Sequence, residues 1–169
     1  MNDVYDYDSD ARNQRKNNKW TDGTALDPMH HLYVLRAARI STLLVVLLAL
    51  PASVTSPQLL IHTLSLLCLI WTYSLPPFRL KERPILDSLS NGIICWLFWA
   101  CGYTFSGDTS LVSKTKPASK HGWLVLLYAS ALHSMAAMVD TQVDASAKYR
   151  TIATVYGERF AAMFSTICL

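Results

Sequence analysis

The chain alternates long apolar stretches with short polar ones that carry nearly all of its charge. Tyr33 to Leu50, Gln58 to Leu75, Leu86 to Phe105 and Gly122 to Val139 are runs of 18 to 20 residues, and a further apolar run starts at Phe160 and reaches only Leu169. As α-helices the four complete runs extend roughly 27 to 30 Å, the thickness of the hydrocarbon core of a bilayer. Arg36 and Arg39, in the first two turns of the first run, have side chains long enough to reach the interface. Half of the residues are hydrophobic and only 16% are charged, and this segregation is the signature of a multi-pass membrane protein. The expectation is an all-α, multi-pass transmembrane helical bundle, with residues 1–169 forming a single partial domain. A net charge of +3, with no basic stripe interleaved with aromatics, gives no support to nucleic-acid binding. Cys68, Cys95, Cys101 and Cys168 lack metal-site spacing and sit in apolar runs, where they read as small hydrophobes.

Alternating the loops across a bilayer sorts the charges. Arg12, Arg15, Lys16, Lys19, Arg79, Lys81, Arg83, Lys148 and Arg150 fall on one side, flanked by Arg36, Arg39 and Arg159. The other side holds Lys114, Lys116 and Lys120, so the basic excess predicts that the first side is cytoplasmic. That side also receives both acidic clusters of the chain.

The first cluster is Asn2, Asp6 and Asp10, spaced i, i+4 and i+8, which on one helix stacks them along a single face. Taken alone, such a run is more often a solvated tail. A second, smaller copy, Asp140 and Asp144, stands four residues apart directly after the fourth run. Oxygen donors so close repel one another unless a cation sits among them, and hard cations such as Mg²⁺ share carboxylate sites with phosphates. Between the clusters lies the basic loop Phe78 to Pro84, where Arg79 and Arg83 offer bidentate forks and Lys81 a point charge. Metals and cations that grip a diphosphate stabilise the charge developing on it as it leaves. Trp71 and Tyr73, at the end of the second run, have faces suited to a carbocation or, equally, to an interfacial aromatic belt.

These motifs carry a resemblance. Asn2-Asp3-x-x-Asp6-x-x-x-Asp10 is similar to the first aspartate-rich motif of the UbiA superfamily of membrane-embedded prenyltransferases. The segment from Tyr73 through Asp87 to Asn91-Gly92 resembles its central loop, and Asp140-x-x-x-Asp144 followed by Thr151, Thr154 and Gly157 resembles its second motif and tail. The opening motif and the string Asp-Ser-Leu-Ser-Asn-Gly look most like the lycopene-elongase branch, which attaches a five-carbon prenyl unit to a carotenoid. The resemblance implies a nine-span bundle around a cavity with Mg²⁺ and an isoprenyl diphosphate at its cytoplasmic mouth. It makes Asn2, Asp6, Asp10, Asp140 and Asp144 the metal set, the four aspartates Asp6, Asp10, Asp140 and Asp144 being the catalytic residues. Tyr73, Arg79, Lys81 and Arg83 would meet the substrate, Asp87 and Asn91 would line the cavity floor or fix the loop, and the partners would be an isoprenyl diphosphate, a lipophilic acceptor and the bilayer.

The chain departs from the family pattern in places. Ala145 stands where a basic residue commonly follows the second motif, Lys148 where a glycine is expected, and the Arg-Pro-x-x-Gly of quinone-pathway members is missing after the first motif. Lys148 or Arg150 is placed to supply the absent charge. Two spans before Asn2 and about two and a half after Ser165 would complete the family bundle, so a fragment is the expected reading. The alternatives are a cyclase that quenches the same cation internally and a non-catalytic fragment. His62 and His133 lie within apolar runs, where satisfied interior histidines are commoner than ligands.

Overall fold

The computed structural model describes residues 1–11, 24–106 and 117–169. The basic residues Arg12, Arg15, Lys16, Lys19, Lys114 and Lys116, and the breakers Asn17-Asn18 and Asp22-Gly23, lie outside the described residues. The secondary structure among the described residues is helical. Helices fill all of the apolar runs: α3 is His31–Ser53, α4 Pro57–Ser74, α5 Leu86–Phe105, α6 Pro117–Val139 and α9 Glu158–Cys168. Shorter helices carry the polar motifs: α1 (Asn2–Tyr5), α2 (Tyr7–Asp10), α7 (Thr141–Ser146) and α8 (Ile152–Tyr156).

Local chemistry sets several boundaries. Asp27 accepts a hydrogen bond from the Met29 N–H at 2.9 Å and so caps the 3-10 turn that leads into α3. Pro57 stands at the first turn of α4, where its missing N–H costs nothing. Pro51, expected to close the first run, lies inside α3, which continues to Ser53. A proline so near the end removes a bond from a turn that is about to finish anyway. Gly157, at φ +86, separates α8 from α9 with a backbone conformation that L side chains rarely adopt.

Each long helix packs on its neighbour in the chain, α3 on α4, α4 on α5 and α5 on α6, and α9 closes on α6. The contacts are made by small and polar residues. Ser88, Ser90, Ala100, Thr104, Ala131, Ser130, Ser134 and Ala161 are buried, whereas Leu43, Leu44, Leu47, Leu48, Ile61, Phe98, Leu124 and Leu132 are exposed. A Cβ on Gly92 would stand 2.0 Å from Ser130 Oγ and 2.5 Å from the Leu126 carbonyl oxygen, so α5 and α6 approach almost backbone to backbone. Polar bonds join the other pairs. Trp71 Nε1 donates to Thr42 Oγ1 at 3.0 Å between α4 and α3, and Ser134 Oγ donates to the Ala161 carbonyl at 2.9 Å between α6 and α9. The arrangement inverts that of a water-soluble core, where large apolar side chains are buried and small polar ones exposed. Small interfacial residues and interhelical hydrogen bonds are what hold helices together when the surrounding medium is itself apolar.

Among the described residues, two helical segments, Pro28–Ser53 and Lys120–Val139, are long and apolar enough to cross a membrane. The sequence suggested four such spans. In α4 and α5 the apolar content is diluted by polar residues the fold turns inward, among them Thr63 and Ser74 on α4 and Asp87, Ser88 and Ser90 on α5.

Candidate active site

The polar motifs meet at one end of this helical array. Asn2, Asp6 and Asp10 were expected on one helix, but the helix is interrupted at Asp6, which has φ −104 and ψ 2 and separates α1 from α2. At this break the Asp6 carboxylate bonds the Lys81 ammonium, accepts from the Tyr149 hydroxyl at 3.1 Å and lies 3.5 Å from the Arg79 guanidinium. Helical spacing survives the break, because the Asp6 N–H still bonds the Asn2 carbonyl at 3.0 Å and the Asp10 N–H the Asp6 carbonyl at 2.8 Å. All three motif residues therefore face the same way. Asn2 Oδ1 accepts from Ser74 Oγ at 2.8 Å and from Lys81 Nζ at 3.0 Å, which ties the N-terminal motif to the end of α4 and to the basic loop.

Asn2, Asp6, Asp10, Asp140 and Asp144 line one cavity of about 310 Å³, together with Lys81, Tyr73, His133, Tyr149 and Thr151. Three segments far apart in sequence thus bring both acidic clusters and a basic residue to one chamber. The charges are unevenly matched. Lys81 and Arg79 stand by Asp6, and both cations also lie 5.9 Å from the centroid of the Tyr149 ring. Asp144 has burial and Asp140 against it: these push its carboxyl up to about 6, only partly offset by a hydrogen bond from Thr151.

The other expected site residues divide. Tyr73 lines the cavity, and its hydroxyl lies 3.5 Å from His133 Nε2. Trp71 does not line it; its indole is committed to Thr42 on α3. Arg83 donates to the Phe78 carbonyl at 2.9 Å and lines, with Arg150, a separate cavity of about 450 Å³. Lys148 faces a third cavity of about 300 Å³ with Tyr5, Asp8 and Arg79. Asp87 is fully buried and fixes a loop: its carboxylate accepts from the Ile152 N–H at 2.8 Å and the Ser88 N–H at 2.7 Å. Asn91, one turn on, is half-buried in α5 and does not line the 310 Å³ cavity. Arg79, Ile85 and Lys148 all have positive φ (38, 71 and 61), the left-handed region that side-chain-bearing residues avoid. At Lys148 this explains why a glycine is the residue to expect there.

Ser74, His133 and Tyr149 were not selected from the sequence as site residues. Tyr149 sits close to the second motif, but its bond to Asp6 spans the whole chain. His133 is seven residues before Asp140 on α6, close to two full turns, and that spacing alone placed it on the same face. His62, by contrast, is the satisfied interior histidine expected, with Nδ1 3.2 Å from Thr104 Oγ1.

The oxygen donors of the two acidic clusters, carboxylate and amide, suit a hard cation, and burial beside Asp140 makes the negative charge of Asp144 unfavourable. Among the described residues no three acidic, histidine or cysteine side chains are drawn together closely enough to hold an ion as they stand. Asp6 is instead engaged by Lys81 and Arg79.

Among the described residues, fold and site together define a helical array, apolar outside and small-residue inside, with a chamber of both charges at its helix ends. The chain belongs to the UbiA prenyltransferase family, which matches it over residues 1–169. It is 35% identical over 173 residues to a lycopene elongase/hydratase of Corynebacterium glutamicum, an alignment covering 99% of this chain and 55% of that protein. A lycopene elongase/hydratase of Haloferax volcanii is 33% identical across 94% of this chain and 48% of its own length. The C(50) beta-cyclic carotenoids biosynthesis protein LbtBC of Dietzia sp. is 30% identical across 99% of this chain and 37% of its own. The chain thus spans about half the length, or less, of the curated relatives it matches. No solved structure matches it significantly.

Proposed function

We propose that this chain takes part in the Mg²⁺-dependent transfer of an isoprenyl group from an isoprenyl diphosphate to a lipophilic acceptor of the carotenoid class, within a multi-pass helical bundle in a membrane. The observation that carries the reading is the single cavity in which Asn2, Asp6, Asp10, Asp140 and Asp144 meet Lys81. Those five residues would hold the metal, which when bound supplies positive charge to the leaving diphosphate. Lys81 and Arg79 bind and orient the same diphosphate, exchanging the Asp6 carboxylate for phosphate oxygens. Arg83 and Lys148 line neighbouring cavities and act on the approach of the anion. Tyr73 presents its ring to the reacting carbon from the inner wall. The exposed apolar faces of the long helices suit direct entry of an oily substrate from the bilayer.

Membranes containing the full chain, supplied with dimethylallyl diphosphate, lycopene and Mg²⁺, test this. Asp6→Asn and Asp144→Asn are each expected to lower prenylated product by about 100-fold or more, the scale of losing a group that stabilises developing charge. Unchanged turnover in both variants would sink the metal-site reading. A cyclic hydrocarbon formed when lycopene is left out would replace the transferase reading with a cyclase.

A further inference from the structure

We propose that His133 is the base that ends the reaction, taking up the proton released once the new carbon–carbon bond has formed. The inference deepens the prenyl-transfer reading and rests on it. Depth within the cavity is the first argument. His133 lies seven residues before Asp140 on α6, so it shares that wall about 10 Å further from the acidic mouth. Ala136 and Ala137 occupy the wall between them, and such small side chains leave room for an organic chain running inward from a diphosphate.

Chemistry is the second. When an allylic donor adds to an alkene, the donor C–O bond breaks and its electron pair leaves with the diphosphate. The π pair of the acceptor forms the new C–C bond and leaves the adjacent acceptor carbon electron-poor. A neighbouring C–H bond must then break, its pair becoming a new double bond and its proton passing to a base. The balance is one prenyl unit added, with one diphosphate and one proton released. Of the side chains that line the inner part of the cavity, an imidazole is the one with a basic electron pair near neutral pH. Asp140 stands seven residues, close to two helical turns, along the wall from His133, and the phenol of Tyr73 carries its own proton at that pH.

Support around the ring is the third. Tyr73 meets His133 edge-on, ring centroids 6.4 Å apart and its hydroxyl 3.5 Å from Nε2, which fixes the orientation of the imidazole.

The test uses membranes holding the full chain with dimethylallyl diphosphate, Mg²⁺ and lycopene, and measures diphosphate release and carotenoid products together. In His133→Phe, release of diphosphate should stay within about threefold while prenylated product formed by proton loss falls about 100-fold, the scale of a missing general base. Water-captured alcohol should then make up the difference. In His133→Ala, added imidazole should restore the proton-loss product, a rescue that a merely structural histidine would not give. His62→Phe, which alters a histidine bonded to Thr104, should leave the ratio of the two products unchanged. A wild-type product ratio in His133→Phe, or no rescue of His133→Ala, would overturn the inference while prenyl transfer by the unsubstituted chain still stood. No prenylated product from the unsubstituted chain would overturn the parent reading, and the inference with it.

Discussion

Replacing Asp87 should unfasten the second acidic motif from the body of the bundle, and the structure sets the size of the effect. The first N–H groups of any helix have no partner within it. Asp87 satisfies one such donor in each of two helices: Ser88 in the first turn of its own α5, at 2.7 Å, and Ile152 at the start of α8, at 2.8 Å. Its exposure is 0%, so neither donor has bulk water beside it in the folded protein. Asp87→Ala strands both donors, and at about 1–3 kcal/mol for each buried unsatisfied group the cost comes to roughly 2–6 kcal/mol. Asp87→Asn keeps one carbonyl acceptor but turns an NH₂ toward the other donor, so roughly half that cost, about 1–3 kcal/mol, is expected. The loss should also reach the site, because Thr151, the cap of α8, lines the same cavity as Asp144. Unfolding in mixed micelles, driven by SDS and followed by tryptophan fluorescence, gives the free energies. The reasoning fails if Asp87→Ala costs less than about 1 kcal/mol, or if the asparagine variant is as damaged as the alanine one.

Further expectations concern charge and backbone. Because burial and Asp140 raise the Asp144 carboxyl from 3.8 to about 6, the folded, metal-free protein binds more protons than the unfolded chain between those values. Its stability should therefore rise as pH falls from 7 through 6 toward 4, and Asp144→Asn should flatten that rise in pH-dependent melting curves. A slope of the opposite sign in that window, unchanged by the substitution, would contradict the placement of Asp144. At position 148, where φ is +61, Lys148→Gly and Lys148→Ala remove the same charge, so their difference isolates the backbone. The glycine variant should be the more stable by about 1 kcal/mol in denaturant titration, and equal stability would show that the left-handed conformation carries no cost.

How much of this was legible in the sequence depends on the range of the interaction involved. Helix positions were, because a run of apolar residues reports its own conformation: α4, α5 and α6 begin and end within about a turn, or slightly more, of the Pro, Gly and polar breaks flanking them. The gathering of Asp6, Lys81 and Asp144 in one chamber was expected for a different reason: apolar runs read as crossing a bilayer in turn put these loops on one side, and the three residues do line one cavity. The interruption of the first helix was not: local spacing favours a continuous helix, and the partners of the Asp6 side chain, Lys81 and Tyr149, lie 75 and 143 residues away. Trp71 and Tyr73 show the limit most sharply. They are two residues apart at one helix end, equivalent by composition, yet the helical turn sends one to Thr42 on α3 and the other to the cavity wall beside His133. Which face of α4 meets α3 and which meets α6 is decided by packing of whole helices, a property of the array and not of any stretch within it. The two acidic clusters are tied to the array in different ways: Asp140 follows Val139 of α6 without a loop, whereas the first cluster, twenty residues before α3, is held through the Asn2 side chain by Ser74, the last residue of α4.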